Sequence, residues 1–237
     1  MTTILKENTL VIVPAYNEAA SIEGVIEGLL FHQFAVLVVS DGSSDATCDI
    51  ARSMGVRVLD LPINLGVGGA LRAGFRFAVK EKYTAVVQVD ADGQHPAHEI
   101  VNLITAANDK HAQLVIGSRF LSNGTSMDVG FIRRLVMRIL ANSSSRATGT
   151  TITDTTSGFR IITQPLLAKF AQSFPTNYLG DTYEAVVAAG RAGYKVVEIP
   201  AAMRERMAGE STASIGQSVR FTIKGLVVAL LRLHQRI

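Results

Sequence analysis

The sequence contains a single cysteine, Cys48, in 237 residues. One cysteine excludes an internal disulfide and a cysteine-based zinc cluster. No apolar run approaches the roughly 20 residues that a membrane-spanning helix needs, and residues 1–8 lack the apolar core of a secretion signal. We therefore expect a cytoplasmic protein, one that could lie peripherally at the inner face of the cell membrane.

The chain also has little excess of positive over negative charge, since its formal net charge is only +3. Bulk charge thus gives no indication of a nucleic-acid partner, and we expect none. The basic residues beyond position 201 nevertheless outnumber the acidic ones. They could face an anionic membrane or a phosphate group, or form a solvated helix face. These residues are Arg204, Arg206, Arg220, Lys224, Arg232 and Arg236.

Three familiar nucleotide-binding or hydrolytic motifs are missing. The glycine-rich stretch that begins at Gly66 fails the dinucleotide fingerprint because Leu71 stands where the last glycine is required. No Gly-Lys-Ser/Thr sequence forms a P-loop, and no G-x-S-x-G sequence forms a hydrolase elbow. A nucleotide site in this chain would therefore have to be built from other loops.

The stretch 85–96 is the part of the chain that carries most chemistry. Val86, Val87 and Val89 are β-branched and suit a buried strand, and Asp90 and Asp92 follow at once. Residues i and i+2 of an extended segment point the same way, so both carboxylates could reach one hard cation, which in turn bridges to phosphate oxygens. The alternative is that an aspartate caps the helix beginning near Pro96, but this explains one of the two acids and not both.

Apolar runs and helical patterns alternate along the first half of the chain. This alternation predicts a parallel sheet with helices on both faces, and ligands bind such sheets at the carboxyl ends of the strands. Three polar clusters follow predicted strands at that edge, within residues 14–18, 40–45 and 90–94. The predicted strands are 9–14, 36–39, 56–59, 85–89 and 114–116, and the predicted helices are 19–30, 46–54, a helix ending at 80, and 96–108.

The rhythm changes after Arg119. Helical patterns cover residues 131–145, 165–170 and 181–192, and short apolar runs predict strands at 161–162 and 194–199. A polar turn, residues 154–160, precedes the first of these strands. The spacing of apolar and basic residues predicts an amphipathic basic helix over residues 215–236, which could lie in a membrane interface or pack on the domain or on a second copy of the chain.

Several motifs, taken in order, resemble those of the family 2 inverting glycosyltransferases with the GT-A fold. Two later motifs resemble the polyprenyl-phosphate sugar transferases, the group of dolichol-phosphate mannose synthase and its bacterial relatives. The resemblance covers nearly the whole chain. The motifs are residues 13–18 (VPAYNE), 41–45 (DGSSD), Asn64-x-Gly66, 90–92 (DAD), 117–120 (GSRF), and then Asp154-x-Thr156-Ser157-Gly158-Phe159-Arg160 and Arg206-x-x-Gly209-Glu210-Ser211.

The resemblance implies a Rossmann-like, three-layer α/β sandwich with a mostly parallel sheet. Residues 1–214 would form the catalytic domain, with a nucleotide-sugar half to about residue 120 and an acceptor half after it. Residues 215–237 would form the appended helix. The residues implied for the UDP- or GDP-sugar donor are Pro14, Ala15, Tyr16, Glu18, Asp41, Gly42, Asn64, Gly68, Asp90, Ala91, Asp92 and Arg206.

The resemblance also implies the chemistry. Asp90, Asp92 and Gln94 would hold Mg²⁺ or Mn²⁺ against the donor diphosphate, and Arg206 would fold over the same group. Arg119 and either Arg133 or Arg134 would bind the acceptor phosphate. The implied catalytic residues are Asp92, Arg206 and, for a hydroxyl acceptor that requires a base, Asp154.

Some of these residues have simpler interpretations. Glu18 could favour only its helix N-terminus, and Arg133 and Arg134 could belong to a solvated helix face. Arg160 could pair with Asp154 or serve the site. We expect His95 to orient the metal loop and not to bind the metal.

Three activities stay open at this point. The first is sugar transfer to a polyprenyl phosphate, and the second is transfer to a glycan or small-molecule hydroxyl. The third is non-catalytic binding of a nucleotide sugar by a membrane scaffold. Ser40, Met137 and Thr212 depart from the mannose synthase pattern, which favours a bacterial branch in surface-glycan assembly with undecaprenyl phosphate as lipid.

Overall fold

The computed structural model describes residues 3–121, 131–175 and 181–203, and for residues 131–136 and 181 the backbone alone. Within these ranges the chain forms a seven-stranded sheet of order β3-β2-β1-β4-β6-β5-β7. The strands are β1 (Thr9–Ala15), β2 (Ala35–Ser40), β3 (Arg57–Asp60), β4 (Ala85–Gln88), β5 (Leu114–Ser118), β6 (Arg160–Thr163) and β7 (Val196–Pro200).

Helices connect the strands at the positions that the sequence predicts, with bounds that differ by a few residues. None of the helices in these described ranges is long and apolar enough to cross a membrane. The predicted helix 215–236 lies outside the described residues. The helices are α1 (Ile22–Phe31), α2 (Thr47–Ser53), α3 (Val67–Lys80), α4 (Ile100–Asp109), α5 (Phe131–Thr148), α6 (Leu166–Ser173) and α7 (Asp181–Arg191).

The central strand β1 shows why continuous apolar runs form this sheet. Successive side chains of a strand point to opposite faces. Val11 and Val13 therefore enter one core cluster, with α1 and α4, while Leu10 and Ile12 enter the other, with α3 and α6. Because helices cover both faces of the sheet, every residue of the run 10–13 is buried. The strand is therefore apolar throughout and does not alternate between apolar and polar residues.

Strand β6 departs from an all-parallel arrangement. It pairs antiparallel with both β4 and β5, whereas the other pairings are parallel. An antiparallel strand begins at the edge where its parallel neighbours end. The loop before β6, residues 154–159, therefore reaches the carboxyl edge of the sheet, and Arg160 lies directly opposite Gln88 on β4.

Candidate functional site

The loops after β1 and β2 lie side by side at the carboxyl edge of the sheet. The amide of Asn17 donates to Ser43 Oγ at 3.1 Å, and Asn17 Oδ1 accepts from the amide of Ser44 at 2.8 Å. Asn17 adopts a φ of 56°, a left-handed conformation that asparagine tolerates. Two of the polar clusters that the sequence predicts at this edge are thus joined by direct hydrogen bonds.

Glu18 is tied to both neighbouring helices. Its amide donates to Thr47 Oγ1 at 2.8 Å in the first turn of α2, and its carboxylate accepts from Ser21 Oγ at 2.9 Å just before α1. These contacts match the helix-terminus interpretation of Glu18. Asp45 lies two residues before α2, and its carboxylate accepts from the amide of Thr47, the first residue of the helix, at 3.0 Å.

Asp41 is a buried acid that holds the loop before α3. Its side chain is buried, and Oδ1 accepts from the amide of Leu65 at 2.7 Å. Burial raises the pKa of Asp41, and hydrogen bonds from the Leu65 and Gly66 amides oppose that rise. The structure thus shows Asp41 supporting the loop, and its contact with a nucleotide base stays a prediction.

Gly42 is required by the close approach of this same loop. Its φ is +71°, and a Cβ placed there would lie 2.8 Å from the amide nitrogen of Asn64. Asn64 in turn accepts from the amide of Gly66 at 3.0 Å, which shapes the turn into α3. Gly42 and Asn64, which are both predicted to bind the nucleotide-sugar donor, therefore form one tight backbone junction.

The other residues predicted to bind the nucleotide-sugar donor lie at the same edge of the sheet but differ in their exposure. Pro14 and Ala15 end β1, where the Ala15 carbonyl accepts from the Asp41 amide at 2.8 Å. Tyr16 is exposed at the start of the following loop, whereas Gly68 is buried in the first turn of α3. Ala91 is buried between the two acids.

The two acids after β4 differ in their surroundings. The Asp90 side chain is 38% exposed, and its Oδ1 accepts from Gln88 Nε2 at 3.2 Å. Asp92 is buried, and its Oδ1 accepts from the amide of Gln94 at 3.0 Å. Gln94 itself is half-buried. One carboxylate is therefore open at the edge, while the other is fixed within a short turn.

His95 orients this turn. Its Nδ1 accepts from the Asp90 amide at 3.0 Å, its Nε2 lies 3.7 Å from Asp90 Oδ2, and its ring packs on Phe159 at 5.0 Å. Because Nδ1 uses its lone pair to accept the amide hydrogen, it cannot also bind a metal. In a neutral imidazole the other nitrogen, Nε2, then carries the hydrogen. These contacts agree with the prediction that His95 positions the loop.

The residues at this turn fit a hard divalent cation. Two carboxylates and an amide supply oxygen donors, which suit Mg²⁺ and Mn²⁺. Gly158 leaves the space open, because a Cβ there would lie 2.6 Å from Asp90 Oδ2. The described part of the chain has no group of three or more acidic, His or Cys ligands, so substrate phosphate and water would complete the coordination, as is usual for Mg²⁺.

Arg119 follows β5 at the same edge and is held by Asp154. The guanidinium donates from Nε to Oδ2 and from Nη2 to Oδ1, both at 2.8 Å, and Thr156 Oγ1 accepts at 3.0 Å. Asp154 has no exposed surface. The hydrogen bonds to Asp154 raise the pKa of Arg119, and the nearby charge of Asp90 adds to this. The charge pair therefore lies beside residues 90–94, the turn predicted to hold the metal, which we call the metal turn.

A second acid fixes the backbone of Asp154. Glu198 on β7 accepts from the amides of Thr153 and Asp154 at 2.7 and 2.6 Å. Arg160, by contrast, is buried on β6 and donates to Gln88 Oε1 at 2.9 Å and to the Thr182 carbonyl at 3.4 Å. Arg119, and not Arg160, is thus the partner of Asp154.

Three predicted residues lie beyond these contacts. Arg206 is outside the described residues. Arg133 and Arg134 lie in α5, but their side chains are outside the described part. Sequence reasoning also gave no role to Gln88, Gly158 or Glu198. Gln88 and Glu198 each interrupt an apolar strand, and a polar residue in a buried strand needs a polar partner, which is a signal readable in the sequence.

Comparison with known proteins decides the family. Residues 10–170 match the family model described as glycosyl transferase family 2. The chain belongs to this family. It is 34% identical over 229 residues to the polyprenol monophosphomannose synthase of Mycolicibacterium smegmatis, covering 90% of this chain and 83% of that one. It is 32% identical to the undecaprenyl-phosphate mannosyltransferase of Micrococcus luteus, covering 87% of this chain and 88% of that one.

A solved structure agrees in fold. Glucosyl-3-phosphoglycerate synthase from Mycobacterium tuberculosis, in complex with Mn²⁺, UDP and glucosyl-3-phosphoglycerate, superposes with a TM-score of 0.70 at 21% identity, covering 94% of this chain and 79% of that one. The same enzyme has been solved with Mg²⁺ and UDP. The predicted GT-A fold and glycosyltransferase class are therefore confirmed for this family 2 chain.

Proposed function

We propose that this family 2 glycosyltransferase moves a hexose from a nucleoside diphosphate sugar to a polyprenyl phosphate, with Mg²⁺ or Mn²⁺ at Asp90 and Asp92. The observation that carries the proposal is the placement of the Asp154-bound Arg119 guanidinium beside Asp90. A fixed cation next to a metal turn suits a reaction in which two phosphate groups meet. The named transferases of M. smegmatis and M. luteus support the same acceptor class.

The donor would lie across the loops after β1, β2 and β3. Asp41 joins the loops after β2 and β3, and Asn17 joins the loops after β1 and β2, so that Pro14, Tyr16 and Glu18 lie at the same edge of the sheet as Asp90 and Asp92. Gln94 would complete the oxygen donors from this chain. Asp90 and Asp92 would hold a divalent cation here, and that cation would neutralise the charge that develops on the departing nucleoside diphosphate.

The acceptor phosphate would approach from the side of β5. Arg119 donates to it while Asp154 keeps the guanidinium in place, and Arg133, Arg134 and Arg206 are the further cations proposed for the phosphate groups. A phosphate oxygen of the acceptor bonds to the anomeric carbon as the bond from that carbon to the diphosphate oxygen breaks. Because the phosphate is already an anion, no general base is needed.

The state of Asp154 favours a phosphate acceptor over a hydroxyl acceptor. A base must reach the proton that it removes, but the Asp154 carboxylate is fully buried and both of its oxygens accept from Arg119. We therefore assign Asp154 to positioning Arg119. Transfer to a hydroxyl would require a different base.

The test is a screen of UDP- and GDP-sugars against two acceptors, polyprenyl phosphate in liposomes and a soluble glycan, each with and without Mn²⁺. The proposal predicts sugar transfer only where lipid phosphate and metal are both present. Transfer to the glycan without lipid phosphate would support the hydroxyl alternative. Binding of a nucleotide sugar without transfer to either acceptor would support a non-catalytic role.

A further inference from the structure

Gln88 is a polar side chain in an otherwise apolar strand end. It follows Val86 and Val87 on β4 and is 2% exposed. Its amide makes two contacts, both with charged groups. Oε1 accepts from Arg160 Nε at 2.9 Å, and Nε2 donates to Asp90 Oδ1 at 3.2 Å. The amide thus lies between a buried guanidinium and the exposed carboxylate of the metal turn.

The identity of the group facing Gln88 fixes the direction of the amide. A guanidinium can only donate hydrogen bonds, so the oxygen of Gln88 must face Arg160. The amide NH₂ then has to face Asp90, where a carboxylate can only accept. Arg160 is itself anchored, since Nη1 donates to the Thr182 carbonyl in the first turn of α7 and the guanidinium lies 5.9 Å from the Phe174 ring.

The reversed direction of β6 creates this arrangement. The antiparallel register places Arg160 directly opposite Gln88. In the same segment, Gly158 allows the chain to pass against Asp90, because a Cβ at Gly158 would lie 2.8 Å from Asp90 Oδ1 and 3.0 Å from Gln88 Nε2. One short segment before and within β6 therefore sets the position of the carboxylate from two sides.

We propose that Gln88, held by Arg160, is a positioning residue that fixes the Asp90 carboxylate for a divalent cation. The proposal rests on the metal role proposed above for Asp90. Partners that hydrogen-bond to a metal-binding carboxylate fix its orientation, and their removal commonly lowers metal affinity by about 10–100-fold. A fixed Oδ1 leaves Oδ2 in one direction, so less side-chain freedom is lost when a cation binds.

The test measures Mn²⁺ affinity, without nucleotide and with UDP or GDP, from the electron paramagnetic resonance signal of free Mn²⁺. Gln88→Met has a similar length but cannot hydrogen-bond, and we expect its Kd for Mn²⁺ to rise about tenfold. The matched control is Thr163→Val, which removes a buried hydroxyl from the far end of β6, where it donates to the Ala112 carbonyl at 3.3 Å. This control should lower the melting temperature without changing the Kd.

A second variant covers the case in which Gln88→Met does not fold. Gln88→Asn keeps a carbonyl for Arg160 but is one methylene shorter, so it cannot also reach Asp90, and the Kd should again rise about tenfold. An unchanged Kd in a folded Gln88 variant, with Mn²⁺ bound by the wild type, overturns this proposal alone. Absence of Mn²⁺ binding by the wild type overturns it together with the metal role of Asp90.

Discussion

Arg119 and Asp154 form a bidentate pair in which two N–H groups of the guanidinium meet both carboxylate oxygens at 2.8 Å. The Arg119 side chain is 35% exposed and that of Asp154 is 0% exposed. The acid therefore lies beneath the cation, on the side away from solvent. This orientation leaves part of Arg119 at the surface and assigns Asp154 to support.

The pair predicts the effect of Asp154→Asn. An asparagine cannot accept both bonds, so Arg119 loses its fixed position, and we expect transfer to polyprenyl phosphate to fall about 10–100-fold, chiefly through a higher KM for the lipid. The pH dependence of kcat should keep its shape. A loss confined to kcat, with one limb of the pH profile removed, would instead identify Asp154 as a base.

Thr156→Val is the milder variant of the same site. It removes two hydrogen bonds of Thr156 Oγ1, one accepted from Arg119 Nη2 at 3.0 Å and one donated to Asp154 Oδ1 at 3.2 Å, and it keeps the Asp154 carboxylate. Each hydrogen bond contributes about 0.5–1.5 kcal/mol, but the two bonds between Arg119 and Asp154 remain, so we expect a loss of only a few-fold in kcat/KM for the lipid. An effect as large as that of Asp154→Asn would show that the hydroxyl, and not the carboxylate, positions Arg119.

Much of this arrangement can be predicted from local sequence. The strands β1, β2 and β5 are continuous apolar runs, and Asp90 and Asp92 follow such a run directly, so both the sheet and its acidic edge are predictable. The direction of β6 cannot be predicted in this way, because Ile161 and Ile162 do not indicate which strands they will pair with. That choice depends on contacts distant in sequence, and it brings Arg160 to Gln88 and Gly158 to Asp90.

Gly158→Ala tests the close packing against Asp90. The added Cβ would lie 2.6 and 2.8 Å from the two carboxylate oxygens, so the carboxylate must move, and we expect Mn²⁺-dependent activity to fall at least about tenfold. The control is Gly28→Ala in α1, where a Cβ meets nothing within 4 Å. That variant should gain about 0.5–1 kcal/mol of stability and keep wild-type activity. Equal activity of both variants would contradict the packing argument.

Gly42→Ala tests the junction between the β2 loop and the loop before α3. The position combines a φ of +71° with a Cβ only 2.8 Å from the Asn64 amide nitrogen. Such strain costs about 1–3 kcal/mol, and displacement of Asn64 should also weaken nucleotide binding. Thermal unfolding and UDP titration measure the two effects. Wild-type UDP affinity in a destabilised variant would separate this junction from the donor site.

Asp41 predicts a dependence of stability on pH. Burial raises its pKa, and the Leu65 and Gly66 amides oppose that rise, so the folded state binds the proton more tightly than the unfolded state. Its contribution to stability is therefore lost as the pH rises from the ordinary carboxyl pKa through the raised one. Asp41→Asn keeps an oxygen for the Leu65 amide and should remove this loss. In urea titrations across that pH window, the exposed control Asp109→Asn should retain the wild-type slope, and an equal slope in Asp41→Asn would contradict the assignment.

The central claim is that a metal at Asp90 and Asp92 drives sugar transfer to a lipid phosphate. The direct measurement is the rate of sugar transfer to polyprenyl phosphate, in wild type and Asp92→Asn, after chelation and after re-addition of Mn²⁺. The account predicts that chelation abolishes wild-type transfer, that Mn²⁺ restores it, and that Asp92→Asn is at least about 100-fold slower with Mn²⁺ present. Transfer that persists without metal, and equally in Asp92→Asn, would contradict the account.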